Sequence, residues 1–176
     1  MDSLRKNEMY TIEDIYNLPE GERAELIDGQ IYYMAAPNRM HQKISAFLSR
    51  IIGNYIEASD GRCEIYTAPF AVFLDDDINY VEPDISVICD TEKLDDKGCH
   101  GSPDWIIEIV SSGSRRMDYL IKLFKYRNAG VKEYWIVDAE RNRITVYNFG
   151  YDTVEEFSFG EDVPVGIYKG FSIKLV

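Results

Sequence analysis

The stretch from Ser102 to Ser114 reads "SPDWIIEIVSSGS". Its middle, Trp105 to Val110, is a short apolar run without polar alternation. Such a run reads as a strand covered on both faces. Glu108 stands inside it. A buried carboxylate without a partner costs several kcal/mol or takes up a proton. Either something cationic compensates Glu108 or the run is not buried. The residues leave two readings open: a glutamate at a sheet edge or paired with an arginine, and an acid kept for chemistry.

Working outward, "PDISVIC" (Pro83–Cys89) is a second run of the central-strand type, with Asp84 at its start. Taken alone, a Pro-Asp pair opens a turn or strand. Taken with Glu108 on a neighbouring strand, it gives two carboxylates that repel and raise each other's pKa. A divalent cation removes that problem. Magnesium prefers oxygen ligands and is held by one or two carboxylates plus phosphate. On the other side of Glu108, "SRRMDYLIKLFKYRNAG" reads as a helix that stops at Gly130, with Leu120, Leu123, Phe124 and Tyr126 or Arg127 near one face. Asp118 and Lys122 lie four apart on it. They form either a surface ion pair of ~0.2–0.5 kcal/mol, or a group whose ammonium points back over the strand carrying Glu108 and steadies charge on a phosphoryl group. Arg115 and Arg116 near the helix start either contact phosphates or are solvated.

The remaining elements build the frame. Thr11 caps a short helix that ends before Pro19, and "ERAELIDGQIYYMA" folds as a hairpin about Asp28-Gly29. Ile44, Phe47, Leu48, Ile51, Ile52 and Tyr55 mark an amphipathic helix. "CEIYTAPFAVFL" is strand-like, and Asp90 to Pro103 reads as a loop. "KEYWIVDAERNRITVYNF" is a hairpin turning near Glu140 to Asn142, with Tyr134 and Trp135 in the core, and two strand-like pieces close the chain. The fold class is α/β (α+β): one domain over residues 1–176, with a mixed central sheet flanked by helices and an N-terminal hairpin.

Composition bounds the function. The chain has 176 residues and a formal net charge of -12, which argues against non-specific nucleic-acid binding. The charge is uneven: Asp152 to Asp162 holds five acids and no base, whereas Arg115 to Arg127 holds Arg115, Arg116, Lys122, Lys125 and Arg127 against Asp118 alone. No run approaches a membrane span, and "MDSLRKNEMYTIED" lacks the apolar core of a signal peptide. Cys63, Cys89 and Cys99 show no CxxC spacing and read as reduced thiols of a cytoplasmic protein, with neither disulfide nor zinc site.

Three segments in order, "AELIDGQIYYMAAPNRMHQKI", "VEPDISVI" and "PDWIIEIVSSGSRRMDYLIKLFKYRNAGVKEYWIVDAERNRI", resemble the Uma-type family of restriction-endonuclease-like proteins in the PD-(D/E)xK nuclease superfamily. The resemblance implies a restriction-endonuclease-like fold and a metal-dependent endonuclease acting on DNA, with Mg²⁺ or Mn²⁺. It implies a site of Asp84, Glu108 and a lysine. Val110 stands where the superfamily's plain form has that lysine, and Lys122 on the following helix matches the family. Glu25 matches a family acid that completes the metal shell or holds a second ion, the other reading being a solvated hairpin glutamate, and His41 matches a recurrent histidine serving phosphate binding or proton transfer, the other reading being a surface or capping histidine. Tyr126 either supports the site or packs in the core. The mechanism that follows has Asp84, Glu108 and the Ile109 carbonyl holding the ion, with Lys122 positioning water. The alternatives are a non-catalytic nucleic-acid or protein-binding module on the same fold, and a subunit acting as a homodimer or beside a partner.

Overall fold

The computed structural model describes residues 9–74 and 77–176. The first eight residues of the N-terminal segment read above lie outside that range. The strands form two six-stranded sheets and a small hairpin, numbered here in chain order.

The central sheet holds β3 (Glu64–Thr67), β6 (Ile85–Ile88), β9 (Trp105–Val110), β10 (Glu133–Asp138), β11 (Arg143–Asn148) and β12 (Thr153–Ser158), in the order β12-β11-β10-β9-β6-β3. Only the β9–β10 pair is parallel. Every residue of β6, β9 and β10 is buried, as the absence of alternation in β6 and β9 predicts for those two. One face is covered by α2 (Arg39–Ala58), whose Ile44, Leu48, Ile52 and Ile56 pack on Ile85, Val87, Trp105, Ile107 and Trp135. The hairpin β13 (Asp162–Pro164) and β14 (Ser172–Lys174) closes the same core with Val163 and Ile173. The other face, with Ile106, Tyr134 and Ile136, packs on Ile27, Val72, Val81 and Tyr126.

Those last residues introduce the second sheet, which the sequence reading did not separate from the first. It holds β1 (Ala24–Ile27), β2 (Gln30–Tyr33), β4 (Val72–Phe73), β5 (Tyr80–Val81), β7 (Leu94–Asp95) and β8 (Gly98–His100), in the order β2-β1-β5-β4-β8-β7. The β1–β2 turn has Asp28 at φ 51° and Gly29 at φ 69°, the left-handed pair that a two-residue hairpin needs. The short α1 (Ile12–Tyr16) begins at Thr11, whose N–H donates to Asp14 Oδ2 at 2.7 Å, and covers β1 through Ile15. The segment Asp90–Pro103, expected as a loop, instead contains β7 and β8. At Gly98 (φ 147°) a Cβ would stand 2.3 Å from the Ala71 carbonyl oxygen, so only glycine lets β8 lie against β4.

Two further expectations are corrected. Cys63 and Cys89 are not free thiols: they form a disulfide, and Cys99 alone is free, buried in the second sheet. The register Glu64↔Ile88 brings the two cysteines opposite each other across β3 and β6. This pairing removes the thiol argument for a cytoplasmic protein. Among the described residues no helix is long and apolar enough to cross a membrane. The helix after β9 runs as a π-helical segment, Met117–Lys122, into α3 (Leu123–Ala129), capped by Gly130 at φ 93°. Its buried face is not the one that apolar spacing suggested. Asp118, Lys122 and Tyr126 point inward, while Leu120 and Phe124 are each 62% exposed. Ionic contacts at the sheet end decide the orientation.

Candidate active site

Strand register places the two acids. Ile85 pairs with Ile107 in the antiparallel β6–β9 ladder, so the next step along each strand sets Asp84 opposite Glu108. Asp84 Oδ2 accepts a hydrogen bond from the Ile109 N–H at 2.7 Å, and the Asp84 N–H approaches Glu108 Oε2 at 3.4 Å. A residue in a strand sends its N–H and C=O to the same edge, so the Ile109 carbonyl faces the side on which Asp84 lies.

Three other elements close on this pair. The π-helical segment brings in Lys122, whose Nζ lies 2.9 Å from Glu108 Oε1, 2.8 Å from Glu25 Oε2 and 3.7 Å from Asp118 Oδ1. One turn on, Tyr126 donates its hydroxyl to Glu108 Oε1 at 2.7 Å. The N-terminal hairpin supplies Glu25, whose Oε1 also accepts from the Glu82 N–H at 3.0 Å. The first turn of α2 supplies His41, with Nε2 3.0 Å from Asp84 Oδ1. Thus Asp84, Glu108, Lys122, Glu25, His41 and Tyr126 converge, although they come from five separate parts of the chain.

The electrostatics are those of an acid cluster around one ammonium. Burial pushes the Glu108 carboxyl well above its ordinary range. Lys122 opposes the shift, and Asp84, Asp118 and Glu25 add to it. Burial likewise raises Asp118, again against Lys122. For Lys122, burial is the largest single influence and pulls downward. The combined pull of Glu108, Glu25 and Asp118 outweighs it, so the amine stays charged well above its usual range. Burial and the neighbouring Glu108 hold the Tyr126 hydroxyl protonated, so it donates rather than accepts.

The cluster opens on a cleft of about 920 Å³ lined by Asp84, Glu108, Ile109, Lys122, Glu25 and His41 among others. Its donor chemistry fits a hard divalent ion, with two carboxylates side by side and a backbone carbonyl facing the same way. Among the described residues no group of three His, Cys, Asp or Glu side chains is arranged as a cage. Magnesium does not require one, since it keeps several waters and uses one or two carboxylates. Both Asp84 oxygens are engaged, by Ile109 N and His41, while among the described residues Glu108 Oε2 has only its 3.4 Å contact.

Arg115 and Arg116 do not join the cluster. Arg115 is held by Asp138 at 2.8 Å and 3.0 Å and by Glu140 at 3.0 Å, and Arg116 is exposed. Most of the basic segment is spent in this way: Lys125 pairs with Asp28 and Arg127 with Asp152. Sequence reasoning also missed members of the site. Asp118 read most simply as half of a surface pair, yet it is 3% exposed. Its spacing from Lys122 and Tyr126, all on one helix face, was the available signal. Glu82, which holds Arg23 and accepts from Tyr80 at 2.8 Å, braces Glu25 from behind. Nothing in "VEPD" announced its burial.

The architecture is that of a restriction-endonuclease-like nuclease fold. A solved structure, "a putative nuclease belonging to DUF820 from Anabaena variabilis ATCC 29413", superposes with a TM-score of 0.73 over 89% of each chain at 21% identity. The sequence then gives the family. The Uma2 family model, described as "Putative restriction endonuclease", matches residues 10–175, and the chain belongs to that family. Two relatives come from Synechocystis sp. (strain ATCC 27184 / PCC 6803 / Kazusa). "Uncharacterized protein slr1290" is 29% identical over 128 residues, 72% of this chain and 66% of that one. "Uncharacterized protein sll1609" is 26% identical over 129 residues, 72% of each. The match therefore spans just under two thirds of the first relative's length.

Proposed function

We propose that this protein is a metal-dependent endonuclease that hydrolyses DNA phosphodiester bonds. The observation that carries the reading is the convergence of Asp84, Glu108 and Lys122 at the wall of one open cleft. Asp84, Glu108 and the Ile109 carbonyl would hold Mg²⁺ or Mn²⁺, which when bound supplies an acidified water and positive charge against the phosphate. The chain's own residues do the rest. The Lys122 ammonium favours the ionised form of Glu108 and stands ready to steady negative charge on the phosphoryl oxygens. Glu25 and Asp118 fix that ammonium, and Tyr126 fixes the Glu108 oxygen beside it. His41 orients Asp84. One cleft cuts one strand, so breaking a duplex calls for a homodimer, which light scattering tests.

A second reading, a non-catalytic binding module, draws on how fully Lys122 and Asp84 are already paired. Supercoiled plasmid separates the two. Wild type with Mg²⁺ or Mn²⁺ nicks it, while Glu108→Gln and Lys122→Met lose at least a hundredfold in rate. An intact plasmid with all three proteins, across salt concentrations and both ions, rules out the catalytic reading.

A further inference from the structure

The cleft presents a problem of charge. Its lining carries five carboxylates (Glu25, Asp84, Glu108, Asp118, Glu140) against Arg23 and Lys122, both of them already in ion pairs. The segment Arg115–Arg127, the obvious basic stretch of the sequence, is neutralised within the chain except for Arg116. A polynucleotide entering this cleft must have its phosphates countered from elsewhere.

Helix α2 supplies that counter-charge. Its N-terminal end borders the cleft through Asn38, Met40, His41, Gln42 and Ser45. From Arg39 to Ala58 its only acid is Glu57, near the far end. Arg39, Lys43 and Arg50 follow one another at spacings of four and seven, which puts all three on one face of a helix. That face is turned away from Ile44, Leu48, Ile52 and Ile56, which enter the core. All three cations are exposed, and among the described residues none has a carboxylate partner. Arg50 lies 5.8 Å from the Phe47 ring, a contact that steadies the guanidinium without cancelling its charge. At a rise of about 1.5 Å per residue the row is about 16 Å long. Three charges over that length meet about three phosphates of one strand, one for each side chain.

We infer that the outer face of α2, through Arg39, Lys43 and Arg50, is a track that holds the sugar–phosphate backbone of one DNA strand beyond the part that enters the cleft. The inference rests on the nuclease reading and adds where the substrate lies. Phosphate contacts of this kind position the strand and carry no sequence preference.

Fluorescence anisotropy tests it with a labelled 20-nucleotide single strand and a 20-base-pair duplex in EDTA over a series of salt concentrations. The triple variant Arg39→Gln/Lys43→Gln/Arg50→Gln keeps helix-forming side chains. The control Lys97→Gln/Arg143→Gln/Lys169→Gln makes the same charge change elsewhere on the exposed surface. The expected result is a loss of roughly tenfold or more in affinity for both probes. The salt slope should also fall by about 3 in the track variant, while the control binds within about threefold of wild type. Equal losses in the two triples, or an unchanged slope, overturn the track and leave the nuclease reading standing if wild type nicks plasmid. Failure of wild type to bind either probe overturns the track, and with no nicking it overturns the nuclease reading as well.

Discussion

Replacing Lys122 with methionine keeps the length of the side chain and removes an ammonium in contact with Glu25, Glu108 and Asp118. Each of the two contacts near 2.9 Å contributes about 6 kcal/mol at an effective dielectric of ~20, and burial of the charges takes back much of this. The net cost of stranding the partners of a broken buried pair is about 3–5 kcal/mol. For a chain of this size that corresponds to a fall of roughly 6–20 °C in Tm. The loss must depend on pH, because the stranded carboxylates escape their repulsion by taking up protons. Urea unfolding at pH 8 and pH 5 therefore shows the larger deficit at pH 8. A deficit under about 1 kcal/mol at pH 8, or one that does not shrink at pH 5, refutes the picture of a buried acid cluster held together by a lysine.

Glu108 gives a prediction of opposite sign. Its carboxyl is raised by burial above the unfolded value of about 4.3. The stability it contributes is full below that value and is lost as pH rises through the raised one. Metal-free Glu108→Gln should therefore gain on wild type with rising pH, measured as the difference in urea midpoints, and a constant difference argues against the shift. Leu120→Lys, on the exposed face of the helix, should change stability by no more than about 0.5 kcal/mol. Tyr126→Phe, which removes the hydroxyl held by Glu108, should cost about 1.5–3 kcal/mol in the same assay. The reverse ranking would mean the helix is turned the other way.

Much of the frame was legible because its signals are local. Asp28-Gly29 demands a tight hairpin, and the three-and-four spacing from Ile44 to Tyr55 demands a helix. Strands β6 and β9 announced themselves by lacking alternation, and β10 as one arm of a hairpin. The second sheet was hidden because β4, β5 and β7 are two residues long and β8 three, too short for any period to register. The Cys63–Cys89 bond joins cysteines 26 residues apart and depends on the register between two strands, which spacing alone does not disclose. The helix face was misjudged for a different reason. Apolar periodicity assumes that the core is greasy on every side, and here the helix meets a wall of carboxylates, so a lysine and a tyrosine go in while leucine and phenylalanine stay out.

The contact between Glu25 and Lys122 joins positions 97 residues apart. Loop closure over such a span comes late, after the helix that carries the lysine has been made. During synthesis, the earlier acids must wait for their ammonium until the chain has grown past Lys122. A nascent fragment ending before the π-helical turn carries Glu25, Asp84 and even Glu108 without a finished centre, so whatever chemistry the cluster performs is withheld until the chain has been made past Lys122.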